Sequence, residues 1–229
     1  MLAWVYEAAS RSDVFNRLIV ATDAQEVADL CQAQGWECRI TSSNLASGTD
    51  RVHAVAQLLG REDGRDQPND IFVNIQGDEP LLRVDHFRAL LLPFQRTAVD
   101  VSTLRTRCPM EDIGNPNVVK VVVDHNGRAL YFSRSTIPFD RDGNSGGSVS
   151  YWKHLGLYAY RKHILDRFPA LPSSQLEATE RLEQLRLLEN GIAIHVEPVE
   201  HDTTGVDTEA DLETAAAALR QRERQSIAP

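Results

Sequence analysis

The sequence predicts an α/β fold, an open, mostly parallel sheet flanked by helices with a β-rich insertion over about residues 116–160. Three observations predict it. Short apolar runs alternate with helix-period segments up to about residue 105, the pattern of βαβ units with right-handed crossovers. Asn126-Gly127 sits between two apolar runs, the signal of a hairpin. Strand and helix patterns then resume over 155–219.

The elements follow in order. Ala3 to Ala9 reads as the end of an apolar-faced helix and Arg17 to Ala21 as a short buried strand. Ala24 to Gln34 is a helix that Asp23 can cap and Gly35 can end. Trp36 to Ile40 is a strand, Thr49 to Leu59 a helix, and Ile71 to Ile75 a strand of the fully buried kind. Val84 to Leu92 is a helix stopped near Pro93, and Val99 to Arg105 is a strand. Val118 to Val123 and Arg128 to Phe132 form the hairpin. Asp140 to Ser150 is Gly- and Ser-rich and reads as a mobile loop. Leu155 to Tyr160 is a strand. Gln175 to Leu188 reads as one amphipathic helix with Leu176, Leu182, Leu185 and Leu188 near one face. Ile192 to Val196 is a strand, Thr208 to Leu219 the last helix, and about 220–229 a frayed polar tail. The whole is expected to form a single domain over 1–229, its insertion serving as an arm that packs on a second subunit.

Composition narrows the function. The 229 residues are 42% hydrophobic and 25% charged, ordinary globular values, with a formal net charge of −9. That balance argues against a general nucleic-acid or anionic-membrane binder, though not against a local anion site. No run approaches the ~20 apolar residues that span a bilayer, and the first residues lack a signal-peptide pattern. Cys31, Cys38 and Cys108 are odd in number and have no C-x-x-C spacing, so neither a disulfide framework nor structural zinc is expected. A reducing cytoplasm fits best.

Ligands of open α/β sheets sit beyond the carboxyl ends of the strands. Behind Ile71 to Ile75 comes Gln76-Gly77-Asp78-Glu79-Pro80. Gly77 can take an unusual backbone angle or admit a ligand. Asp78 offers a hard carboxylate suited to Mg²⁺, or else caps a turn. Asp207 precedes Thr208, which with Asp211 has the spacing of a capping box. Asp207 is thereby free for another task, or simply favours a helix N-terminus. Ser47-Gly48-Thr49-Asp50-Arg51 opens a helix and can receive an anion or a ribose, or serve only as an N-cap. His154 and Tyr158 share a strand face at even spacing. Arg134 lies beside hydroxyls, and Glu183-Gln184 follow Leu182.

In one order, the sequence carries Gln76-Gly77-Asp78-Glu79-Pro80, Asn115-Pro116-Asn117, the run Tyr131 to Pro138, His154 to Tyr158, Leu182 to Arg186, and Thr204 to Thr208. As a set they resemble the 3-deoxy-manno-octulosonate cytidylyltransferase family, over Met1 to about Leu219. The resemblance implies a Rossmann-like nucleotidyltransferase fold, the reaction CTP + Kdo → CMP-Kdo + pyrophosphate for lipopolysaccharide synthesis, Mg²⁺ and a homodimer. It implies Mg²⁺ on Asp78 and Asp207, the sugar against Gln76, His154, Tyr158, Glu183, Gln184 and Arg134, and the nucleotide against Ser47, Gly48, Thr49 and Arg51. The family pattern also holds a strand and a basic loop of the type I-P-A-R-x-x-S-x-R-L-P-x-K-P ahead of the helix matched by Met1. Residues 1–229 contain no such loop, so these residues by themselves are expected to make little CMP-Kdo.

Overall fold

The structure, a computed structural model, describes the chain apart from residues 46, 64–66, 97–98, 142, 144–148, 173, 204, 207 and 228–229, and the side chains of 63 and 223–227. The predicted loop over 140–150 falls largely outside the described residues, as does Asp207. Helices and strands alternate as α1 Leu2–Arg11, β1 Val20–Thr22, α2 Gln25–Gln34, β2 Cys38–Ile40, α3 Gly48–Asp63, β3 Ile71–Asn74, α4 Val84–Leu91 and β4 Val101–Arg107. They continue as β5 Lys120–Val123, β6 Ala129–Ser133, β7 Trp152–Arg161, α5 Lys162–Arg167, α6 Gln175–Glu180, α7 Gln184–Glu189, β8 His195–Pro198 and α8 Glu209–Ile227. They group into two compact units, one of Met1–Ser43, Ile75–Arg88 and His201–Pro229, the other of Asn44–Asn74 and Ala89–Glu200.

In the first unit β1 and β2 pair in parallel, Val20 opposite Cys38. Helix α2 begins after Ala24, whose N–H is taken by the Thr22 hydroxyl at 3.1 Å, so the expected Asp23 cap is not the one used. Gly35 ends the helix at φ +70°, a conformation open to glycine at little cost. The capping box of α8 forms as predicted: Thr208 N–H donates to Asp211 Oδ2 at 2.9 Å and Asp211 N–H to Thr208 Oγ1 at 3.2 Å. The helix runs on to Ile227, through most of the segment expected to fray. Phe87, fully buried, meets Phe15 edge-on at 5.3 Å.

The second unit holds a six-stranded sheet. Its order is β6-β5-β7-β4-β8, with β3 also on β7. The α/β class holds, but this sheet is mixed: β4–β8 is parallel, while β7 runs antiparallel to β3, β4 and β5. The cause is β7, a ten-residue strand that enters from the β-rich segment instead of from a crossover helix. Strand β3, expected to be fully buried, is half-buried; among the described residues it pairs along one edge only. The hairpin forms with Gly127 at φ +78° and Asp124 Oδ1 accepting from Asn126 N–H at 2.8 Å.

The core of this unit gathers Val101, Val121, Phe132, Tyr158, Tyr160, Leu165, Leu185 and Ile194, among others. Burial of such side chains contributes about 1.5–3 kcal/mol each. Helix α3 is tied to α5 by Gln57 Nε2 donating to Asp166 Oδ1 at 2.8 Å, while Lys162 Nζ bonds Asp166 Oδ2 at 2.6 Å. The helix predicted over Gln175 to Leu188 is two helices, broken at Arg181, whose φ is +55°.

Candidate active site

Strand β7 is the spine of the site in the second unit. Tyr158 lies between Asn74 of β3 and Thr103 of β4, and His154 lies opposite Arg105. The Thr103 hydroxyl is 2.8 Å from Leu157 O, 3.1 Å from Leu155 O and 3.1 Å from His154 Nε2. A hydroxyl has one proton; the shortest of the three contacts is to Leu157 O, and with the proton there Thr103 Oγ1 accepts from His154 Nε2–H. His154 Nδ1 is then left as an acceptor. Burial pushes this imidazole down to about 3, so it is neutral at physiological pH.

Tyr158 stacks on Tyr160 at 5.7 Å and tilts against His154 at 5.4 Å. Burial raises both phenols above their ordinary value, so both stay protonated. The Tyr158 hydroxyl is buried with no hydrogen-bond partner among the described residues, and so is Gln184 Nε2. Buried polar groups are paired in the great majority of cases, and orphans point to a missing partner.

Helix α3 brings the expected nucleotide residues to this cluster. Ser47 caps it, accepting from Asp50 N–H at 3.1 Å, and Ser47 O accepts from Arg51 N–H at 3.1 Å. Gly48 lies close against Asn74: a Cβ there would come within 3.2 Å of Asn74 Nδ2, so the amide would have to shift to admit one. Thr49, buried, donates to Glu183 Oε2 at 3.4 Å. Burial raises the Glu183 carboxyl, and the charges of Asp50 and Glu177 add to that, against hydrogen bonds from Ser47 and Thr49. Ser47 and Thr49, expected at the nucleotide, therefore lie beside Glu183, expected at the sugar.

Arg134 belongs to the same unit but is engaged with backbone. Its Nε donates to Glu180 O at 2.8 Å and its terminal nitrogens to Pro116 O at 3.0 Å and Arg181 O at 3.4 Å. Sequence reasoning missed Asn74, Thr103 and Tyr160. An Asn ending an otherwise apolar strand was the one available signal; a strand threonine and a strand tyrosine read as ordinary β residues.

The first unit holds Gln76 and Asp78. Gln76 is exposed and Asp78 half-buried. Gly77 has no positive φ, and a Cβ there would meet Leu2 at 3.6 Å, an ordinary contact, so the expected unusual backbone angle is not adopted. The Asp78 carbonyl accepts from Val206 N–H at 3.0 Å, which fixes the residue preceding Asp207 against it. The Asp78 carboxylate makes no hydrogen bond or ion pair with a described residue, and its oxygens suit a hard cation. No group of three or more metal-ligating side chains occurs among the described residues.

A six-stranded mixed sheet carries a hydroxyl-bearing helix start beside a polar, partly orphaned cluster able to hold a polyhydroxylated ligand. The family model described as Cytidylyltransferase matches residues 1–194. The chain is 53% identical to the 3-deoxy-manno-octulosonate cytidylyltransferase of Koribacter versatilis, over 97% of this chain and 81% of that one. It is 53% identical to that of Acidobacterium capsulatum, over 98% and 87%. A solved structure of CMP:2-keto-3-deoxy-manno-octonic acid synthetase complexed with CTP superposes with a TM-score of 0.86 at 37% identity, over 96% of this chain and 88% of that one. The fold alone is shared with a glucose-1-phosphate thymidylyltransferase from Bacillus anthracis, at a TM-score of 0.62 and 16% identity. The chain belongs to the 3-deoxy-manno-octulosonate cytidylyltransferase family.

Proposed function

We propose that the protein transfers CMP from CTP to Kdo, releasing pyrophosphate, as its relatives' names describe. The observation that carries the reading is the pair of buried, unpartnered donors, Tyr158 Oη and Gln184 Nε2, in the cluster that also holds a neutral His154. A polyhydroxylated sugar acid supplies the acceptors and donors that these groups lack.

In the reaction the sugar's anomeric hydroxyl oxygen forms a bond to the α-phosphorus of CTP. The α–β anhydride bond breaks, and pyrophosphate leaves. The hydroxyl proton passes to water or a phosphate oxygen. His154 is a hydrogen-bond partner and not the base, because an imidazole near 3 holds no proton usefully at neutral pH. Its Nδ1 accepts from a sugar hydroxyl, Tyr158 and Gln184 donate, and Glu183 accepts. Ser47, Gly48, Thr49 and Arg51 meet the substrates at the start of α3, and the motif that contains Gln76 assigns that residue to the sugar. Mg²⁺ held by Asp78 and Asp207 would neutralise charge on the phosphates.

The protein acts as a homodimer in the cytoplasm, at the step that activates the sugar for lipopolysaccharide. No helix among the described residues is long and apolar enough to cross a membrane. CMP-Kdo formation from CTP and Kdo, followed as pyrophosphate release, is the test.

A further inference from the structure

We infer that Arg134 is a positioning residue: it holds open the helix break at Arg181 that presents Glu183 and Gln184, and does not itself touch the sugar. The periodicity of Gln175 to Leu188 favours one continuous helix, and nothing in that segment is a helix breaker. The chain nonetheless turns through a left-handed Arg181, φ +55° and ψ +49°, between α6 and α7. Arginine gains nothing from that conformation, so contacts across the break hold it: within the segment Arg186 Nε donates to Glu177 Oε2 at 2.7 Å, and the remaining contacts come from outside.

The agent is the end of β6. Ser133 Oγ donates to Glu180 Oε1 at 2.6 Å and Arg134 N–H to Glu180 Oε2 at 2.9 Å, fixing the last residue of α6. The Arg134 guanidinium then donates to the carbonyls of Glu180 and Arg181, which sit at the break. These carbonyls would otherwise be left without helical partners. A planar fork can serve several carbonyls at once; a lysine cannot. The clamp is itself anchored: Lys120 Nζ, fully buried, donates to Arg134 O and Val118 O at 2.6 Å and to Asn115 O at 2.8 Å.

The consequence lies two residues on. With Arg181 left-handed, Leu182 is buried, Glu183 reaches Thr49 and Gln184 is buried with its amide unpartnered. A continuous helix would rotate the residues after 181 onto other directions, because each helical residue advances by about 100°. The inference rests on the sugar-site reading for its functional consequence but not for its structural one.

The test uses the full chain with two readouts, amide hydrogen exchange over Arg181–Gln184 without ligand, and the Kd for Kdo by calorimetry. Arg134→Gln should speed exchange there at least about tenfold and raise the Kd about tenfold. Adding Arg181→Gly, which favours the left-handed turn without a clamp, should recover the Kd to within about threefold of the parent. Arg134→Lys, a milder change, should move both readouts in the same direction by less. Loss of Kdo affinity with unchanged exchange and no recovery by Arg181→Gly would overturn the inference and place Arg134 on the sugar. Unchanged exchange and unchanged affinity would overturn it as well. A parent chain that binds no Kdo would count against the proposed substrate, while the exchange arm would still decide the clamp.

Discussion

Thr103 Oγ1 lies 3.1 Å from His154 Nε2 while giving its proton to the Leu157 carbonyl at 2.8 Å. The relationship favours the tautomer protonated at Nε2. Nitrogen-15 chemical shifts should show His154 protonated at Nε2 alone near pH 7. Thr103→Val, which keeps the shape and removes the acceptor, should mix the tautomers and weaken Kdo binding about 5- to 20-fold, the order of one lost hydrogen bond of about 1–2 kcal/mol. A parent protein protonated at Nδ1 would refute the assignment.

Tyr158 and Gln184 should show opposite effects on stability and on binding. Each holds a buried polar atom with no described partner, which costs about 1–3 kcal/mol in the free protein. Tyr158→Phe should therefore leave the unliganded Tm unchanged or raise it by a few degrees, at about 2–4 °C per kcal/mol for this size. The same change should raise the KM for Kdo more than that for CTP. A fall in Tm with both KM values unmoved would show that the hydroxyl is structural.

His154 should leave a signature in stability against pH. Its folded pKa, about 3, lies below the ordinary 6.5, so between these values the unfolded chain binds the extra proton. Stability from this group is full above about 6.5 and is lost as pH falls toward 3. The slope is at most about 1.4 kcal/mol per pH unit. Denaturant titrations from pH 7 to 4 should lose stability faster in the parent than in His154→Gln. Parallel curves would contradict the burial of a neutral ring.

Asp78 is assigned to the metal on its uncommitted carboxylate and on the bond from Val206 that fixes the segment before Asp207. Asp78→Asn should abolish the rise in Tm produced by Mg²⁺ with CTP. It should also lower turnover about 10²–10³-fold. Retention of both at saturating Mg²⁺ would remove Asp78 from that role. His154→Ala, by contrast, should spare the Mg²⁺ effect.

Much of this was legible in the sequence where the signal is local. Gly35 and Gly127 took the positive φ their positions required, and Thr208 and Asp211 formed their capping box. Short-range chemistry decides such features. The break at Arg181 was not legible, because two of the groups that hold it, Ser133 and Arg134, lie about 47 residues away in the chain, and the Arg186–Glu177 pair forms only once the helix is broken. The direction of β7 was likewise hidden: alternation reports which face a residue takes, not which neighbour it pairs with. The motifs assigned His154, Tyr158, Glu183 and Gln184 to one ligand, and the fold places them in one unit. Thr103 and Asn74 escaped notice, since nothing local distinguishes a hydroxyl that orients a histidine from one that merely fills a strand.

The most direct measurement of the central claim is CMP-Kdo formation, followed as pyrophosphate release from CTP with Kdo and Mg²⁺. Release should be sustained, should require Kdo and should exceed that with sialic acid at least about tenfold. Turnover that prefers another sugar acid, or none with Kdo in a folded protein that binds CTP, would contradict the reading.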